Sequence, residues 1–312
     1  IEESSNTFVN YSRQFRHHTE DDSEIIWMSE RDNYNHLYLY DKATGKVKNQ
    51  ITKGDWYVRS VIDVDEDARR IWFQASGVNK DEDPYFIRYY SIGFDGSDMR
   101  DMTPSKGMHN AWLSADKKYI VDVTSTVADA PVAVLRNAET GELVMDLETA
   151  DISEIVENGW KAPEVFVAKG RDGKTDMWGI IIRPTNFDPS KKYPILEYIY
   201  SGPGDHYVPK SFFSFNRYMS AIAELGFIVV QVDCMGTSYR SKEFEEVCYK
   251  NLKDAGIPDR KLWIKAAAEK YPYMDIDRVG IFGCSAGGQE STTAVLFHPE
   301  FYKCAYSACG CH

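Results

Sequence analysis

The sequence predicts two folds in series: a partial β-propeller over residues 1–155, then the first part of a mostly parallel α/β sheet over residues 156–312. Three observations predict it. Residues 25–148 carry a weak repeat: Trp27 and Trp72 lie 45 residues apart, and Trp72 and Val121 lie 49 apart. Beyond Asp151 the pattern changes to continuous apolar strands separated by helical segments. The chain's 312 residues suit about two domains, and a composition 43% hydrophobic and 13% aromatic fits an ordered globular protein.

In the first half, Ile26-Trp27-Met28 recurs as Ile71-Trp72-Phe73 and then as Ile120-Val121-Asp122. Each is followed by an aromatic or branched strand and a glycine turn, ending at Gly45, Gly96 and Gly141, and then by another short strand at 47–51, 99–102 and 143–147. Residues 57–64 alternate with the period of two of a half-buried strand. Four short strands per ~45 residues is the spacing of propeller blades. The count comes to two and a half to three, whereas a closed propeller has 4–8, so further blades are expected ahead of Ile1. A β-sandwich with accidental periodicity is the alternative. His17-His18 with Glu20-Asp21-Asp22, and Asp81-Glu82-Asp83 before Pro84, read as solvated loops.

In the second half, 151–158 reads as a short helical link. Residues 165–168 and 178–182 flank the Asp172-Gly173 turn as a hairpin. A turn-rich connector follows at 184–192. Strands are then expected at 195–200, 227–233, 278–283 and 304–307, with helices at 215–225, 260–270 and 289–297. Apolar strands between helices imply a mostly parallel sheet covered on both faces.

The formal charge of −12, from 48 acidic and 36 basic side chains, argues against nucleic acid and anionic lipid as partners. The longest apolar runs fall far short of the ~20 residues that span a bilayer. The chain opens at Ile1 without a basic-then-apolar leader, and a piece of a longer protein is expected. All six cysteines lie in the last third, unlike a secreted disulfide scaffold. Cys309-Gly310-Cys311-His312 invites a zinc reading, but no second ligand pair exists at the usual spacing. The expectation is a small-residue strand end with buried thiols, with no metal and no cofactor.

The chemistry concentrates in Gly283-Cys284-Ser285-Ala286-Gly287-Gly288, between an apolar strand and a helix. This is G-x-S-x-G in the strand–turn–helix setting of a nucleophile elbow, the hallmark of the α/β-hydrolase fold. The bare pattern arises by chance in about one chain in ten of this length, so the flanking strand and helix carry the reading. The serine projects from a strained turn whose neighbours two positions away can hardly bear a side chain. Its hydroxyl then stands over the C-terminal edge of the sheet, and the Ala286 N–H, at the helix start, is a candidate oxyanion donor. A glycine-rich turn with a capping serine is the alternative. Tyr200, ending the 195–200 strand on the same edge, is a second candidate donor, although a strand-end tyrosine often only packs.

Lys191-Lys-Tyr-Pro-Ile-Leu-Glu-Tyr-Ile-Tyr-Ser-Gly-Pro203 resembles the opening of the catalytic domain in the prolyl oligopeptidase superfamily. Ser29-Glu30-Arg31-Asp32, His36-Leu-Tyr-Leu-Tyr40 and Ile51-Thr-Lys-Gly-Asp-Trp56 resemble late propeller blades of its dipeptidyl peptidase IV branch, and Ser285 is similar to that branch's nucleophile. The resemblance implies a serine exopeptidase that acts on peptides with a free N-terminus and releases dipeptides with Pro or Ala second. It gives the position of Tyr200 the side-chain oxyanion donor, allows a homodimer of the full-length protein, and suggests an extracytoplasmic location such as the periplasm or cell envelope. Three features depart from the family: Cys284 and Ala286 stand where aromatic residues often flank the nucleophile, and Asp233-Cys-Met-Gly236 stands for its Asp-x-Arg-Gly loop. Glu2-Glu3 resembles the family's paired glutamates for the substrate ammonium, but sits too late in the propeller for that role.

In this fold the triad runs Ser, then Asp or Glu, then His. Only 27 residues follow Ser285, with no Asp among them; His298 precedes Pro299 and His312 is terminal. His206 precedes the serine and breaks the usual order. The expectation is that the full-length protein is active and that residues 1–312 alone lack the base and orienting acid. An esterase or acyl hydrolase, and a non-catalytic propeller scaffold with a relic elbow, are the competing readings.

Overall fold

The computed structural model describes residues 1–310 apart from Arg217 and the Ser12 side chain; Cys311 and His312, which close the Cys-Gly-Cys-His run, lie outside the described residues. The chain divides into two compact units, Ile1–Thr126 with Pro131–Ala150 and Tyr239–Glu243, and Val127–Ala130 with Asp151–Ser238 and Phe244–His312.

Unit one holds three four-stranded antiparallel meanders. The first contains β1 (Arg16–His18), β2 (Glu24–Ser29), β3 (His36–Asp41) and β4 (Lys46–Gln50). The second contains β5 (Tyr57–Asp65), β6 (Arg70–Ser76), β7 (Ile87–Gly93) and β8 (Arg100–Asp101), and the third β9 (Met108–Leu113), β10 (Tyr119–Ser125), β11 (Val132–Asn137) and β12 (Leu143–Thr149). The repeat found in the sequence is the second strand of each sheet, β2, β6 and β10. Neighbours in the chain are neighbours in each sheet, as in propeller blades, and the unit is a partial β-propeller. Apolar side chains pack between successive sheets: Ile26, Met28 and Leu39 against Val58, Ile71 and Phe73, then Trp72, Tyr89 and Met102 against Ala111 and Ile120. Their removal from water is the main stabilising term.

Glu20-Asp21-Asp22 and Asp81-Glu82-Asp83 lie in loops as expected, but two details differ. His17 and His18 belong to β1, whose pairing with β2 and the 2.6 Å bond from His17 to Glu66 order a polar segment that has no strand signature of its own. Asp83 is buried, receiving the Tyr85 N–H at 2.9 Å, and Glu82 pairs with Arg88.

Unit two runs α1 (Ser153–Glu157), β13 (Glu164–Lys169), β14 (Asp176–Ile182), β15 (Tyr193–Tyr198), α2 (Tyr218–Ala223), β16 (Ile228–Asp233), α3 (Lys242–Glu246, its first two residues counted in unit one), α4 (Ile257–Lys270), β17 (Met274–Cys284), α5 (Ala286–Phe297) and β18 (Tyr302–Ala308). The sheet order is β13-β14-β16-β15-β17-β18, with the last four strands parallel. This is the first part of an α/β-hydrolase sheet. All six residues of β16 are buried, as a strand covered on both faces requires. Within the core, Arg260 of α4 donates to Glu197 Oε1 of β15 at 2.7 Å, and the Tyr302 hydroxyl of β18 donates to Glu197 Oε2 at 2.7 Å.

All five described cysteines are free. Cys234 and Cys248 are buried, but Cys284, Cys304 and Cys309 are exposed. The expected buried thiol is thus corrected at Cys309, which is exposed and follows β18, the outermost strand of this sheet among the described residues. Among the described residues no three His, Cys, Asp or Glu side chains cluster to hold a metal, and no helix is long and apolar enough to cross a membrane.

Candidate active site

The turn from β17 to α5 is built by exclusion of side chains. A Cβ at Gly283 would stand 2.5 Å from the Ile199 carbonyl oxygen, and one at Gly287 2.1 Å from the same atom. A Cβ at Gly288 would meet the Ala308 carbonyl oxygen at 2.2 Å. Glycine at these places lets the first turn of α5 wedge between the ends of β15 and β18. Ser285, at the bend, adopts φ 59° and ψ −122°, a conformation costing a non-glycine residue of order 1–3 kcal/mol. Its N–H donates to the Ala308 carbonyl at 2.9 Å, and its carbonyl accepts from Gln289 N–H at 3.1 Å, so the bend is fastened on both sides.

Ser285 stands at the N-cap of α5, yet its hydroxyl makes no cap bond. It is half-buried, as is Ala286. The Ala286 N–H, at the first helical position, has no acceptor within the helix. A half-buried serine on a strained bend, beside a helix-start N–H that has no acceptor within the helix, has the geometry of a nucleophile next to an anion site.

Tyr200 lies two residues beyond the end of β15, not within it as expected. Tyr198 pairs with Phe282 across β15 and β17, so Tyr200 emerges level with Cys284, at the elbow. A Gly287 Cβ would be 3.5 Å from Tyr200 Cα. Sequence-predicted Ser285, Ala286 and Tyr200 therefore share one sheet edge. The Tyr200 ring packs on Tyr207, with centroids 4.6 Å apart, and burial pushes the Tyr207 phenol above its ordinary pKa. Asp233, buried at the end of β16, accepts the Tyr207 and Val208 N–H groups at 2.8 and 3.1 Å and so holds this loop. Burial raises the Asp233 carboxyl against those bonds and against the pull of Lys210. Met235, where the family loop has arginine, packs partly buried against the core.

Two residues escaped the sequence reading. Ser201, next to Tyr200, donates at 2.5 Å to Glu290 Oε1 on α5, and both are 2% exposed. The sequence signal was a single carboxylate within an otherwise uncharged helix. His298 caps the far end of α5, roughly 20 Å from Ser285 at 1.5 Å per residue, and bonds Asp254 at 2.9 Å. Glu3 is occupied within unit one: it accepts from Trp27 Nε1 at 2.7 Å, Ser29 Oγ at 2.9 Å and Arg31 Nη2 at 2.6 Å.

Residues 1–131 match the family described as dipeptidyl peptidase IV (DPP IV) N-terminal region, and residues 213–312 match the prolyl oligopeptidase family. Human dipeptidyl peptidase 8 is 25% identical over 92% of this chain and 35% of its own length. Mouse prolyl endopeptidase FAP is 25% identical over 88% of this chain and 36% of its own. The crystal structure of Porphyromonas gingivalis dipeptidyl peptidase 4 superposes with a TM-score of 0.78 at 25% identity, covering 94% of this chain and 40% of that one. The chain thus spans about a third of the length of the curated relatives it matches.

Proposed function

Because the chain belongs to the prolyl oligopeptidase family, in its dipeptidyl peptidase IV-like branch, we propose that Ser285 is the nucleophile of a serine exopeptidase that releases N-terminal dipeptides, with Pro or Ala at the second position. The observation that carries the reading is the Ser285 bend itself: strained, held by Ala308 and Gln289, with a hydroxyl that caps nothing.

Ser285 Oγ attacks the scissile carbonyl as a general base takes its proton; the C–N bond then breaks, the base returns that proton to the departing amine of the shortened peptide, and an acyl-enzyme remains. The Ala286 N–H and the Tyr200 hydroxyl donate to the oxyanion. Water then releases the dipeptide. His298 is too distant to serve as the base, so the reading assigns the base and its orienting acid to sequence outside residues 1–312, and assigns no turnover to these residues alone.

The full-length protein is the object to test. It should take up a fluorophosphonate probe, and Ser285→Ala should abolish the labelling. A Gly-Pro anilide should be cleaved in preference to its N-acetylated form and to a short-chain aryl ester. Preference for the blocked peptide would make the enzyme an endopeptidase, as the mouse relative is named; preference for the ester would make it an acyl hydrolase. Turnover by residues 1–312 alone would refute the assignment of the base. Tyr200→Phe should lower kcat by about 10²–10³ with little change in KM.

A further inference from the structure

Glu290 takes no part in the chemistry above, yet it is fastened to the segment that bears Tyr200. It lies on α5 five residues after Ser285, and its carboxyl is buried. Oε1 accepts the Ser201 hydroxyl, and Oε2 finds no partner among the described residues. Arg260 of α4 attracts this carboxyl, Glu197 of β15 repels it, and Cys248 lies within its field. Burial dominates and pushes it up to about 7. A half-satisfied buried carboxyl is a poor choice for packing, where an apolar side chain fills space at no polar cost.

What the carboxyl adds is one directed bond to the turn after β15. The same turn is gripped a second time by backbone, where Gly287 of α5 lies against Ile199 and Tyr200. Catalytic donors are sensitive to such fastening: a misplacement of 1 Å costs about 10² in rate. We infer that Glu290 is a positioning residue: through Ser201 it holds the Tyr200 turn against the helix that presents Ser285, so that the phenol stands where the oxyanion forms. This rests on the assignment of Tyr200 as an oxyanion donor.

The test uses full-length enzyme and a Gly-Pro anilide, with active sites counted by fluorophosphonate so that only folded enzyme is scored. Ser201→Ala and Glu290→Ala should each lower kcat by about tenfold to a hundredfold at unchanged KM. Glu290→Gln, whose amide oxygen still accepts from Ser201, should recover most of it. In a Tyr200→Phe background, Glu290→Ala should cost nothing further, because the donor it positions is gone. A Glu290→Ala loss of equal size in both backgrounds, or wild-type kcat in Ser201→Ala, overturns the role of Glu290 while leaving Tyr200 its own. An unchanged kcat in Tyr200→Phe overturns the donor assignment, and the role of Glu290 falls with it.

Discussion

At Gly287 the absence of a single carbon sets the geometry of the elbow. The 2.1 Å approach that a Cβ would make is to a carbonyl oxygen of the β15 exit, which cannot rotate aside as a flexible side chain can. Gly287→Ala must therefore displace α5 or the Tyr200 turn. We expect a loss of about 1–3 kcal/mol in urea unfolding, together with loss of fluorophosphonate labelling; a variant labelled at the wild-type rate would show that the turn tolerates the shift. Glu290 gives a different signature. Its carboxyl sits near 7 in the folded protein against an ordinary 4.5, so folding is favoured below 4.5 and that advantage is lost as pH rises through 7. Glu290→Gln removes the penalty of the buried charge. It should raise stability by up to about 3 kcal/mol at pH 8 and by much less at pH 5. An equal effect at both pH values would show that the carboxyl is not protonated on folding.

Among the elements, those with strong periodicity were legible and those ordered by their neighbours were not. β2, β6 and β10 announced themselves because each combines apolar residues with a glycine turn after the next strand. β1 did not, since Arg16-His17-His18 is polar and is a strand only by pairing with β2. α5 was expected at 289–297 and begins at Ala286, because Gly287 and Gly288 are weak helix formers that only close packing explains. The elbow and Tyr200 could be read locally, each from its own run of residues. Ser201 and Glu290 could not, because 89 residues separate them and only the fold brings them together. The Glu197–Arg260–Tyr302 link is of the same kind, tying β15, α4 and β18 through one buried carboxylate. Arg260→Met leaves that charge without its cation and should cost about 3–5 kcal/mol. Tyr302→Phe removes one neutral donor and should cost about 1–3 kcal/mol. Similar losses in the two variants would mean that the ion pair is no more than a hydrogen bond.

Across the whole molecule one turn chemistry recurs. Asp21, Asp41, Asp65, Asp95 and Asp116 each accept backbone N–H groups two or three residues on, closing the turns β1–β2, β3–β4, β5–β6, β7–β8 and β9–β10, and Asp172 closes β13–β14 in the same way. At the β11–β12 turn the acceptor is Asn137. Hydrogen bonds hold each of these aspartates below its ordinary pKa, and Asp172 falls to about 2. A carboxylate depressed in the folded state lends stability above its unfolded pKa and withdraws it as pH falls through the folded one. Each turn is solvated and contributes little by itself, but the six titrate over the same range. Acid should therefore loosen both units together between about pH 4 and pH 2, as the charge of −12 is lost. Asn137 shows that an amide can do the same work without a proton to take up. Replacing Asp41, Asp95 and Asp172 together with Asn should leave neutral stability nearly unchanged and move the acid-unfolding midpoint, followed by circular dichroism, to lower pH. A midpoint that stays put would place the acid sensitivity in the buried carboxyls instead of the turns.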